Sequence, residues 1–293
     1  MTATSSLKAA DKQKILKKLT TEMKKHVKAS PPKQSRSVLE TLIYAVCLEN
    51  ATYQEADAAY TRMLEAFFDL NEIRVSSVTE IEQSLGDLSG ADWKALRIRE
   101  TLQHVFEKHY AFDLEILKRK TQDAANKELD QIPYLTPFIR DYTSQQALGA
   151  HVVPVDGLMS QLLKWLVLVE PEATESQAGD SIKSGIKKSD APQLCFLLKL
   201  VSTDPILQPG LEQYANLSDE TDPFAAATRL SDLYKKPVKR VTKKTAKTVS
   251  RKKPATKTPT RKKSKTGSKK TAPKTVKKAV KKTTKKKSIT RKK

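Results

Sequence analysis

From Lys235 to the end at Lys293 the sequence has no acidic residue and no aromatic one. Without carboxylates, that segment cannot neutralise its own 28 Lys and Arg. Without aromatic rings it cannot stack on nucleic-acid bases. Cysteine is scarce as well, with only Cys47 and Cys195, both inside apolar helical runs. Two such thiols exclude a disulfide framework and give no sign of an oxidising compartment; buried, reduced side chains are expected. No apolar run is long enough to span a bilayer, since the longest, Leu162 to Val169, is short and interrupted by Lys164. The start, Met1-Thr-Ala-Thr-Ser-Ser-Leu-Lys, has no apolar signal core. A soluble intracellular protein is expected: cytoplasmic and nucleoid-associated, or nuclear in a eukaryotic cell.

The four histidines (His26, His104, His109 and His151) are scattered, and His104 and His109 are five apart, off a shared helical face. No metal site is expected from them.

Charge divides the chain. The formal net charge is +22, yet Met1 to Tyr234 holds 27 basic against 33 acidic residues. A mildly acidic globule therefore carries a strongly cationic tail, a pattern that points to a polyanion, most often nucleic acid. The tail repeats Lys pairs among Thr, Ala, Pro, Ser and Val, with clusters at Lys243, Lys244, Arg251, Lys252, Lys253, Arg261, Lys262 and Lys263. Such a composition buries too little apolar area to offset chain entropy, so disorder is expected in the free chain. The tail resembles linker-histone C-terminal tails. Its recognition of double-stranded DNA should be electrostatic and indifferent to sequence, and RNA is open to the same contacts. Neutralising about eight phosphates would give a log K against log salt slope near −7. Nothing amphipathic in the tail supports membrane binding.

The body reads as helix after helix. Asp11 to Lys28 is basic and amphipathic, with Ile15, Leu16, Leu19, Met23 and Val27 near one face. Ser37 to Glu49 is apolar on most sides and should be a central buried helix. Tyr53 to Phe68 follows. Ser77-Val78-Thr79-Glu80 is a capping box opening a helix to Leu85, and Ala91 to His109 is another helix. Ala124 to Gln131 leads through an Ile-Pro-Tyr-Leu-Thr-Pro turn to a helix over Pro137 to Ala147, with Pro137 suited to the first position. Gly149 ends that helix. Val152, Val153 and Val155 then deliver Asp156 to an apolar helix expected over Leu158 to Val169. Glu170 to Glu175 reads as a polar connector, before helices over Asp180 to Lys188 and Asp190 to Ser202.

Helix, turn, helix, and then one carboxylate at a helix start: this order resembles the endonuclease III family of helix-hairpin-helix DNA glycosylases. In that family the turn reads Leu-Pro-Gly-Val-Gly-Arg-Lys-Thr-Ala, with an Asp eighteen residues after the Lys. Without a gap, Ile132-Pro133 match Leu-Pro, the two glycines fall on Tyr134 and Thr136, the Lys on Phe138 and the Asp on Asp156. Gly149 falls on a family Gly seven residues before the Asp. Asn50-Ala51-Thr52 stands where the family has Gln-Ala-Thr, and Lys94-Ala95 where it has Ser-Lys-Ala. The likeness covers roughly Lys14 to Asp204.

The resemblance implies an all-α, glycosylase-like helical domain. The segments expected are a basic N-terminal helix packing on the body (1–34), the endonuclease III-like domain (35–204), a connector and helix (205–234), and the Lys-rich tail (235–293). It also implies a DNA face including Asn50, Tyr134, Thr136 and Arg140. Tyr134 and Thr136 should not readily adopt positive φ, and Pro137 removes an N–H donor, so phosphate binding by the turn should be weak or absent. Alternatively the turn is kept only as a packing corner. Phe138 has no amine for the Schiff base of the lyase step, so that route is closed at this position. Asp156 is the one catalytic candidate; the plain alternative is a helix N-cap. Many family members bind an iron–sulfur cluster through four cysteines after the last of these helices. Thr203 to Ser231 has none, so neither a cluster nor another cofactor is expected.

Three readings follow: a DNA-binding relative of base-excision repair enzymes without lyase activity, a monofunctional DNA glycosylase using Asp156, or a nucleoid-compacting protein.

Overall fold

A computed structural model describes residues 8–31, 36–213 and 222–236, and every regular element among them is helical. They lie in one compact unit, Met1–Thr242; the second, Lys243–Lys293, falls outside the described residues, as does nearly all of the expected Lys-rich tail.

The amphipathic N-terminal stretch forms α1 (Ala9–His26), which buries Ile15, Leu16, Leu19 and Met23. The apolar run after it forms α2 (Val38–Leu48), in which all residues but Glu40 are buried. Ser37 starts α2 with a capping box: its hydroxyl accepts the Glu40 N–H while the Glu40 carboxylate accepts the Ser37 N–H. Thr52 and Glu55 do the same for α3 (Tyr53–Ala66). That helix stops short of Phe68 because Asp69 caps a further short helix, α4 (Leu70–Val75), by accepting the Glu72 N–H. The expected Ser77–Glu80 box opens α5 (Val78–Leu85), and α6 (Ala91–His109) follows within the expected limits.

A 3-10 turn (Glu115–Arg119) leads to α7 (Gln122–Leu129), the corner over 130–136, and α8 (Pro137–Gln146) with proline in its first turn. Gly149, at φ 63°, turns the chain out of α8. An extended piece leads to α9 (Gly157–Trp165). This helix ends four residues before Val169, because the chain turns at Val167, which adopts φ 55°. Next, α10 (Glu175–Lys183) begins earlier than Asp180: Thr174 and Gln177 form a capping box within what reads as connector. Then come α11 (Ala191–Ser202), α12 (Gln208–Gln213), a 3-10 turn (Pro223–Ala225) and α13 (Ala226–Lys235).

In the core, α2 packs against α3, α6 and α8, while α9 packs on α11 and α1 lies against α11 and α13. Each fully buried Leu or Ile of α2 contributes about 1.5–3 kcal/mol. This anchorage fixes the carboxyl end of α2 beside the amino ends of α8 and α9, where the sequence motifs meet. No described helix is long and apolar enough to cross a membrane.

Candidate functional site: a carboxylate at a helix start

Val153 and Val155 are buried, so the extended piece between Gly149 and α9 is held to the core and Asp156 follows it inward. Asp156 is the N-cap of α9, with no exposed surface. Its Oδ1 accepts the Met159 N–H at 2.9 Å, and its Oδ2 accepts the Asn50 N–H at 2.9 Å. Oδ2 also accepts a hydrogen bond from Lys199 Nζ, completing an ion pair in which Lys199 is 2% exposed. Burial lowers the Lys199 pKa, while the Asp156 charge and hydrogen bond oppose that shift. The carboxylate is therefore neutralised by one ammonium and satisfied by two backbone donors.

The opposite side of this pair is apolar. The Lys199 ammonium lies 5.5 Å from the centroid of the Phe138 ring, which in turn contacts Tyr142 at 5.8 Å between centroids. Leu48, Tyr53, Phe138, Tyr142, Pro154, Met159, Cys195 and Lys199 leave a cavity of about 10 Å³ between them. That space accommodates one water at most, whereas small-molecule pockets occupy about 300–1,000 Å³. An everted nucleotide does not fit in that space. Phe138, Tyr142 and Tyr53 are the aromatic residues of its lining; Tyr134 is not part of it and is 57% exposed. Burial raises the Tyr53 phenol well above its usual range and pushes the Cys195 and Cys47 thiols up to about 12. Both cysteines are free and buried.

The corner corrects one expectation. Tyr134 adopts φ 61°, the left-handed conformation that glycine takes up readily and a residue with a Cβ does not. Thr136 has φ −88° and serves as the N-cap of α8. Its hydroxyl donates to Glu49 Oε1 at 2.6 Å and accepts the Ile139 N–H at 3.4 Å. Glu49 is buried and its other oxygen pairs with Arg97. Lys94 Nζ donates to the Cys47 and Glu49 carbonyls at 3.0 and 2.7 Å, closing the carboxyl end of α2. Burial lowers its pKa to about 8.

The structure thus brings Asp156, Asn50 and Phe138 to one place and ties Thr136 to it through Glu49. Asn50, itself at φ 53°, is exposed and its Oδ1 accepts the Leu158 N–H at 3.4 Å. Arg140 is held by Asp130 at 3.2 Å and Asp141 at 2.9 Å. Lys243, Lys244, Arg251, Lys252, Lys253, Arg261, Lys262 and Lys263 lie outside the described residues. Sequence reasoning missed Lys199 and Glu49. The available signal for Lys199 was a single charge between Leu198 and Leu200 in an otherwise apolar helix. Among the described residues no group of three or more His, Cys, Asp or Glu side chains could hold a metal ion.

No protein-family model matches the chain, and no curated protein matches its sequence. Solved structures do match in fold. A trapped endonuclease III–DNA covalent intermediate, an estranged-adenine complex, aligns with TM-score 0.52 at 16% identity, over 70% of this chain and 99% of the other. A non-covalent endonuclease III–DNA complex aligns with TM-score 0.52 at 17% identity, over 64% and 84%. A thermostable thymine-DNA glycosylase aligns with TM-score 0.50 at 13% identity, over 66% and 87%. At such identities the likeness is one of fold.

Proposed function

We infer that this chain, which has the helical fold of the endonuclease III-type DNA glycosylases, holds DNA without excising a base or cleaving the strand. The observation that carries this reading is the closed surrounding of Asp156: a carboxylate with no exposed surface, paired with Lys199, beside a cavity of about 10 Å³. A glycosylase of this class needs an everted base next to a carboxylate free to face the developing sugar cation. Here the Lys199 ammonium holds Oδ2 of Asp156, and Phe138, Tyr142 and Tyr53 line the small cavity beside that pair. The lyase route also needs an amine nucleophile, and Phe138 stands at the family's position for it. Retention on double-stranded DNA is assigned to the Lys-rich segment, whose 28 basic residues face no acidic neighbour in sequence.

The test is release of bases from duplexes carrying uracil, oxidised pyrimidines or alkylated purines, with alkali treatment to reveal abasic sites. Full-length protein and an Asp156→Asn variant are expected to show the same background release. Release by the wild type that disappears in Asp156→Asn would overturn this reading in favour of a monofunctional glycosylase.

A further inference from the structure

Around the fold's turn and Asp156 the basic side chains Lys94, Arg97, Arg140 and Lys199 are held by other groups of the chain, and a surplus of lysine gathers elsewhere on the body. Residues 36–234 hold 18 basic and 31 acidic side chains, a net of −13. The two arginines near the corner, Arg97 and Arg140, are both engaged by carboxylates. Lys8 to Lys28, by contrast, holds eight lysines and two acids.

On α1 these charges are ordered. At about 100° per residue, Lys14, Lys17, Lys18, Lys24 and Lys25 fall within an arc of about 120°. Ile15, Leu16, Leu19 and Met23 take the opposite face and are buried. The two acids, Asp11 and Glu22, lie just beyond one edge of the arc, where they pair with Lys14 at 3.5 Å and with Lys25. Lys17, Lys18 and Lys24 are exposed and have no partner among the described residues.

The ridge also adjoins the start of the Lys-rich segment. At the ends of α1 and α13 the His26 and Tyr234 rings stack at 3.9 Å, 6° from parallel. One turn earlier, Ser231 hydrogen-bonds to Glu22. The two helices therefore run parallel and finish together, so Lys235 and Lys236 leave α13 beside Lys24, Lys25 and Lys28.

We propose that the exposed face of α1 is a second polyanion-contact surface, a lysine ridge that lies along the phosphates of a nucleic-acid duplex beside Lys235 and Lys236. This deepens the DNA-holding reading above and rests on it. A duplex backbone is the partner favoured over an anionic membrane, because the apolar face of α1 is packed against α11 and α13 and is not free to enter lipid.

The experiment measures binding of the full chain to an undamaged 20-base-pair duplex (about two helical turns) across a salt series, for wild type and for Lys17→Gln/Lys18→Gln/Lys24→Gln. Helicity and thermal midpoint are expected to be unchanged, since the three side chains support no contact. Each phosphate contact contributes about 0.9 to the slope of log K against log salt, so the triple variant should lose about 2 to 3 from it. A wild-type chain that binds, with an equal slope in the variant, overturns the ridge and leaves the DNA-holding reading standing. A wild-type chain that does not bind the duplex overturns that reading first. A loss seen only on phosphatidylserine vesicles, with duplex binding unaltered, also overturns the proposal.

Discussion

A buried ammonium and a buried carboxylate depend on each other, because either left alone is an uncompensated charge in a poorly polarisable interior. Asp156→Asn strands Lys199 in this way, and the expected cost is about 3–5 kcal/mol, read as a lower urea midpoint. The double replacement Asp156→Asn/Lys199→Met should cost less than the sum of the single changes, the signature of direct coupling in a double-mutant cycle. Lys94 supplies a pH dependence. Its folded-state pKa of about 8 lies below the ordinary lysine value of 10.5, so between these values the unfolded chain binds more protons. Its contribution to stability therefore rises as pH increases from 8 towards 10.5. Urea midpoints measured from pH 7.5 to 9.5 should climb more steeply in the wild type than in Lys94→Met; parallel curves would contradict the assignment. At Tyr134, left-handed backbone costs a residue with a Cβ about 1–2 kcal/mol. Tyr134→Gly should accordingly leave stability level or slightly raised, whereas Tyr134→Val should lower it.

Between elements, α10 approaches the extended piece before Asp156 closely at Gly179. A Cβ added at Gly179 would lie 2.5 Å from the Val153 carbonyl oxygen, a backbone atom that cannot swing aside. Gly179→Ala is expected to cost about 1–3 kcal/mol by overpacking, measured by thermal or urea denaturation. Much of this architecture was legible in the sequence, because local signals set it: the Ser77–Glu80 box, Pro137 at a helix start, Gly149 at a helix end and the unbroken apolar run of α2. Helix limits were less legible where a local feature was weak. Asp69 caps α4 without a box, Thr174 uses Gln177 inside a polar stretch, and Val167 turns the chain after α9 without a glycine. The place of Asp156 at a helix start was readable, but its partner was not. Lys199 is 43 residues away, and only the packing of α9 on α11 brings the two together. The positive φ of Tyr134 was likewise hidden, since the surroundings impose it against the residue's own preference.

Across the whole molecule, shape and charge have separated. The helical body has the fold of the endonuclease III-type DNA glycosylases, yet it is acidic over residues 36–234 and leaves only a small cavity beside the Asp156–Lys199 pair. Basic residues outnumber acidic ones only in the stretch around α1 and from Lys235 onward. If contact is made by charge alone, an abasic site or damaged base should carry no extra weight, because both duplexes offer the same phosphates. The most direct measurement compares full-chain affinity for an intact duplex and for the same duplex with one abasic site, at several salt concentrations. Affinities equal within about a factor of two at each salt, with parallel steep slopes, are expected. A preference for the abasic duplex of about tenfold or more that persists as salt rises would mean that the body still recognises an everted position, and would contradict the account.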